Sequence, residues 1–153
     1  MKTLLGMHQF STRFDAAVTD WGGSLFSLFL RFFVGWQFLK AGMIKLGDWS
    51  ATLALFRDEY HVPLLPPDVA AVLGAAGELC LPILLFSGLL SRPAALALFF
   101  VNVMAVLSYP QLFSFECPAA LNDHFYWGVL LLALAAFGPG RFSLDYVLGR
   151  ARA

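Results

Sequence analysis

The sequence predicts an all-α membrane protein, a four-helix bundle with a short interfacial helix in its first loop. Three observations predict it. The 153 residues are 59% hydrophobic and only 13% charged, against roughly 45–50% and about 25% in a soluble domain. Four apolar segments occur, at about 24–43, 69–90, 93–109 and 121–137, each near the roughly 17–25 residues that a spanning helix needs. Each segment also carries small and polar residues at helical spacing, which is how membrane helices pack on one another. The whole chain, 1–153, reads as a single transmembrane domain.

The stretch from Lys2 to Asp20 is mixed and polar, with no compact apolar region before a small-residue cleavage site. It predicts no cleavable signal, and the first span begins near Ser24. The loop from Asp48 to Tyr60 sets Trp49, Leu53, Leu55 and Phe56 among charges, the pattern of an interfacial amphipathic helix. Pro63, Pro66 and Pro67 break it, and the second span starts at Asp68. Only Ser91 and Arg92 separate the second span from the third, with Pro93 suited to a first helical turn. Those two spans form a tight antiparallel hairpin. The third loop, 110–122, carries Glu116 and Cys117, and a short basic tail follows Gly138-Pro139-Gly140.

Charge placement sets orientation. Lys2, Arg13, Arg92, Arg141, Arg150 and Arg152 all fall on one side of the spans. The positive-inside rule then makes both termini cytoplasmic, in the inner membrane if the source is Gram-negative. The net charge of zero leaves no basic footprint for nucleic acid. Cys80 and Cys117 form no CxxC, and no metal cluster is readable. Haem would want two inward histidines on facing helices, and only His124 is near a span.

The inward stripes read as Arg31, Gly35, Phe38, Gly42 and Lys45; Gly74, Glu78, Leu81, Leu85 and Gly88; Ala95, Leu98, Asn102, Ala105 and Tyr109; and His124, Gly128, Leu131, Ala135 and Gly138. At about 1.5 Å per residue, Arg31 sits about 10 Å in from the cytoplasmic end, Glu78 about 16 Å and Asn102 about 14 Å. These three are expected to meet near the bilayer centre, where an unpaired charge costs ~3 kcal/mol. Such a slab reads either as a site that binds a head group or relays protons, or as an ion pair that only fixes packing and register. His124 and Tyr126 sit at the outer mouth of the fourth span. His124 is a proton-transfer candidate by its near-neutral titration or an interfacial anchor. Lys45 is read as an anion ligand or, more simply, as snorkelling to the interface. Trp36 falls deep and is read as packing inside the bundle. Cys117 reads as a free thiol or as a link to a partner.

Three groups of residues resemble the DoxX family of small bacterial membrane proteins. They are Arg31-Phe32-Phe33-Val34-Gly35 with Phe38, Gly42 and Lys45; Glu78 and Pro82 with the Gly88–Ala95 hairpin; and Asp123-His124-Phe125-Tyr126-Trp127 with Gly138–Asp145. The resemblance implies a four-helix membrane fold. It also implies a link to quinone-dependent sulfur oxidation, or to redox, metal-stress or peptide-modification systems. No thiosulfate site or redox cofactor motif is visible, so no complete enzyme activity is carried over. The expected function is a quinone-interacting or redox-associated membrane component. The alternative is a non-catalytic accessory or anchoring subunit of a redox or metal-stress complex. A transporter fits less well, since no broken-helix pair or repeat of halves is visible. The expected associates are membrane lipid, a quinone, a membrane or periplasmic protein, and a second copy of the chain. No covalently bound cofactor is expected.

Overall fold

The computed structural model describes residues 2–113 and 119–151, which are helical apart from short connections. Helix α1 spans Lys2–Ala17 and passes through a π-helical stretch, Val18–Gly22, into α2, Gly23–Gly47. Then come α3 (Trp49–Asp58), α4 (Pro67–Ser87), α5 (Ser91–Ser108), α6 (Ala119–Phe137) and α7 (Leu144–Ala151). Helices α2, α4, α5 and α6 are long and apolar enough to cross a membrane. They match the four predicted spans to within a few residues.

The N-terminal segment differs from expectation. It forms a helix continuous with α2, and its side chains Phe10, Phe14, Val18 and Trp21 are exposed along one face. The spacing of four, four and three residues keeps these apolar groups on one stripe, which the polar residues between them hide from a composition count.

The residues of the predicted inward stripes are buried or half-buried, and Val34 and Leu134, outside those stripes, join the core. Val34, Phe38, Leu85, Leu98, Leu131 and Leu134 form the apolar centre. Glycines set the spacing of α2 and α4. A Cβ on Gly35 would fall 2.5 Å from Cε1 of Phe86, and one on Gly42 would fall 2.8 Å from Cγ of Leu79. Backbones this close gain dispersion contact, the main source of helix adhesion in lipid. Trp36 departs from its expected place: it is 48% exposed, beside Phe29, Phe32 and Phe33 on the outer side of α2. Lipid solvates an indole there as well as a protein core does, so depth alone does not send it inward.

Helix α3 forms where an interfacial helix was expected. Its N-terminus is capped by Asp48, whose side chain accepts from Ala51 N at 2.9 Å. Its apolar face packs on protein: Thr52 and Phe56 are buried, and Phe56 joins Ala70 and Ala71 at the start of α4. The connection after α3 is tied down by His61 N, which donates to Ser108 O at 2.7 Å. The α3 segment therefore covers one end of the bundle. The other end carries the α4–α5 hairpin, the start of α2 and the tail helix α7.

Candidate functional site

Helix register decides which polar residues meet. In the antiparallel α2–α4 pair, Gly35 faces Phe86 and Gly42 faces Leu79. Continuing that register puts Glu78 level with position 43 of α2, and Arg31 level with the hairpin near position 90. Arg31 and Glu78 are thus about twelve residues apart along the axis, about 18 Å at helical rise. The expected Arg31–Glu78–Asn102 meeting does not occur. Helix α2 overhangs the hairpin by about two turns, which depths counted from separate span ends miss. The polar residues instead form two separate groups, one toward each end.

The first group lies beneath α3. Lys45 Nζ donates to both carboxylate oxygens of Glu78, at 2.7 and 2.6 Å. The two side chains are 14% and 9% exposed. Lys45 therefore does not snorkel: a buried carboxylate within reach holds it better than distant water does. Pro82 lies four residues after Glu78 and has no N–H, so the Glu78 carbonyl also lacks its usual helical donor. Tyr60, from the loop after α3, stands within electrostatic range of Glu78 and packs edge-on against Phe56 and Tyr109. Its burial there holds the phenol proton more firmly than in water.

Asn102 and His124 form a second bonded pair. Asn102 Nδ2 donates to His124 O at 2.8 Å, and Asn102 Oδ1 lies 2.8 Å from His124 Nδ1. The backbone carbonyl can only accept, which fixes the amide orientation. Oδ1 is then the acceptor, so His124 Nδ1 carries the proton. In the neutral ring Nε2 keeps its lone pair, and no described residue bonds to it. Trp127 packs edge-on against the imidazole at 5.0 Å. Facing pairs such as Phe38 with Trp127 place His124 within about one helical turn of Glu78 in height. One positioned acid–base ring, one charged pair and one aromatic wall share a level of the bundle.

The second group is built on Arg31, which is fully buried. Its Nη1 donates to Leu85 O and Phe86 O, both at 3.4 Å, and its Nη2 donates to Phe142 O. A guanidinium on the last carbonyls of α4 meets the negative end of that helix dipole. Gly88 makes room for it, with φ +67° and a missing Cβ that would strike Ser143 and Arg31. Asp145 accepts from Leu90 N and Ser91 N, both at 2.9 Å, and so caps α5 from the tail. Sequence reasoning missed these roles of Ser143 and Asp145, although both stand in the Gly138–Asp145 segment it singled out. This group joins the hairpin to the tail and reads as architecture.

Of the six candidates, Lys45 pairs with Glu78 and Asn102 pairs with His124, the two pairs at about one level of the bundle, and Arg31 lies elsewhere. Tyr126 is 59% exposed, stacked edge-on with Phe125 on the outer side of α6, and does not join them. Helical geometry requires this, because two residues after His124 is the opposite side. Cys80 is free and exposed on the bundle's side. Cys117 and the 115–118 loop lie outside the described residues. Among the described residues, no group of three or more His, Cys, Asp or Glu could hold a metal.

The DoxX family profile matches residues 26–111, which carries most of α2 and all of α3, α4 and α5 and includes Arg31, Lys45, Glu78 and Asn102. An uncharacterized protein of Haemophilus influenzae (strain ATCC 51907 / DSM 11121 / KW20 / Rd) is 30% identical over 139 residues, 88% of this chain and 90% of the relative. That alignment is too long to leave out both α6 and the tail. No solved structure matches the chain. With more than half of its length matched and four helices fit to span a bilayer, this chain is a membrane protein of the DoxX family.

Proposed function

We propose that the Lys45–Glu78 and Asn102–His124 group binds the head group of a membrane-dissolved quinone or quinol and exchanges protons with it. The observation that carries this reading is His124: Asn102 fixes its ring so that Nε2 offers a lone pair. That nitrogen suits the hydroxyl of a quinol, and the Lys45 ammonium suits a quinone carbonyl. Trp127 supplies an aromatic surface beside it. Helix α6 is the least buried of the spans, so a ligand arriving from lipid meets His124 first. Oxidation of a quinol releases two protons and two electrons. The residues here take protons only, so the electrons pass to a partner protein that carries a redox centre. The six basic residues that fall in the sequence on one side of the spans support an inner-membrane location with both termini cytoplasmic.

The test is mass spectrometry of lipid extracts from gently purified protein, wild type beside a Lys45→Met/Glu78→Met double variant. Replacing both charges keeps the bundle folded. Ubiquinone or menaquinone retained by wild type and lost from the double variant supports the reading. Equal retention in both, or none in either, refutes it.

The exposed Phe10–Trp21 stripe favours a second reading, an anchoring subunit that holds a partner. A partner that co-purifies in fixed ratio and is lost from a Phe10→Ser/Phe14→Ser variant supports that reading. Retention of the partner by that variant counts against it.

A further inference from the structure

A groove of about 500 Å³ separates the first turns of α2 from the end of α6. It lies at the termini end, away from the proposed quinone site. Its walls are mostly hydrocarbon, including Phe26, Leu30, Ala133 and Phe137. Phe26 and Phe137 are 60% and 87% exposed, so the groove opens sideways to the bilayer. Its volume lies within the range that holds a ligand of several hundred daltons. Its two serines are already bonded: Ser27 Oγ donates to Gly138 O at 2.9 Å, and Ser24 Oγ accepts from Arg141 N at 3.0 Å. The walls therefore ask for an apolar chain.

The one charged residue lining the groove, Asp20, is paired with an arginine just outside it, and the head of the groove has a second arginine beside it. That head is the turn Gly138-Pro139-Gly140, flanked by Arg92 and Arg141. Arg92 is pinned over the turn: its Nη1 donates to Ala135 O and Ala136 O, at 2.9 and 2.8 Å. A Cβ on Gly138 would fall 3.0 Å from Arg92 Nη2. Arg92 Nη2 and Nε have no bonding partner among the described residues. Arg141 is matched by Asp20, which accepts from its Nε at 2.7 Å and from its Nη2. Its guanidinium lies over the Trp21 ring at 4.8 Å, an interfacial aromatic. With Arg141 paired to Asp20, Arg92 is the cation left beside the turn. Gly140, with φ +71°, lets the turn close on Ser24, where a Cβ would strike its backbone. The turn and the charge are thus held rigidly.

We infer that this groove is a binding site for an anionic phospholipid, with one acyl chain between α2 and α6 and the phosphate on Arg92. A neutral lipid fills the walls equally well but leaves Arg92 uncompensated. A soluble phosphate matches Arg92 but gains nothing from the walls.

The experiment titrates the full-length protein in detergent with dioleoylphosphatidylglycerol, dioleoylphosphatidylcholine and glycerol 3-phosphate, counting adducts by native mass spectrometry. Arg92→Gln keeps an amide donor for the α6 carbonyls and removes the charge. Ala133→Trp fills the groove. The wild type is expected to prefer phosphatidylglycerol about fivefold, the worth of one basic residue near a lipid surface. Arg92→Gln erases the preference, and Ala133→Trp weakens both lipids. Equal binding of both lipids by wild type, or an unchanged preference in Arg92→Gln, overturns the inference. Full competition by glycerol 3-phosphate also overturns it, as a site for free phosphate. If Ala133→Trp does not fold, the Arg92→Gln result decides alone. Loss of this site leaves the quinone measurement at Glu78 unaffected, so the two proposals fail separately.

Discussion

Glu78→Gln leaves the Lys45 ammonium in place with no counter-charge. The pair is bidentate at 2.6–2.7 Å and its side chains are 14% and 9% exposed. Removing one member of such a buried pair costs about 3–5 kcal/mol, because the survivor stays desolvated and unpaired. Insertion scales put a lone Lys at the centre of a span at a similar ~3 kcal/mol. Replacing both members by apolar residues of similar size is close to neutral. The prediction is therefore non-additive. Glu78→Gln and Lys45→Met each lose about 3 kcal/mol, and the Lys45→Met/Glu78→Met double variant loses less than about 1 kcal/mol. Reversible unfolding in mixed micelles, run as a double-mutant cycle, measures it. Single variants within about 0.5 kcal/mol of wild type would mean that water reaches the pair, as in a surface ion pair. That result would refute the reasoning from burial.

Four further outcomes are expected. Gly42→Leu drives a side chain into Leu79 and costs about 1–3 kcal/mol in the same assay, while Gly47→Leu, with nothing within 4 Å, costs little. Asn102→Ala removes both bonds to His124 and costs about 1–2 kcal/mol, near the upper end for polar contacts between membrane helices. Arg31→Met removes the donor that holds Leu85, Phe86 and Phe142, so proteolysis of the 138–151 tail is faster than in wild type. The bond from Ala51 N, with help from Ser50, holds the Asp48 carboxyl below its ordinary range. Folding thus favours the charged form. Its stabilisation is present above about pH 3.9 and is lost as pH falls through the lower folded value. Hydrogen exchange in α3 should rise selectively there, and exchange that ignores pH contradicts the cap.

The four spans and their inward stripes were legible because small and polar residues at helical spacing have one arrangement that avoids lipid. Asn102 and Glu78 were legible as buried for the same reason. Their partners were not. Pairing depends on the axial register of α2 against α4, which Gly35 and Gly42 set through contacts with Phe86 and Leu79. Neither contact can be counted along one strand of sequence. Trp36 was misplaced because lipid accepts an indole as readily as a core does. Helix α1 was missed because its stripe stands among polar residues and buries nothing that would mark it. The Arg31 group depends on Gly88 and Asp145 meeting across more than fifty residues, a juxtaposition made by the tail alone.

The central claim is that the Lys45–Glu78 and Asn102–His124 group holds a quinone head group. The most direct measurement is equilibrium binding of a short-chain ubiquinone to the full-length protein in lipid nanodiscs, wild type beside His124→Leu. The account predicts saturable binding, weakened about tenfold in the variant by loss of one buried hydrogen bond. Binding of equal strength in both, or no saturable binding to wild type, contradicts it.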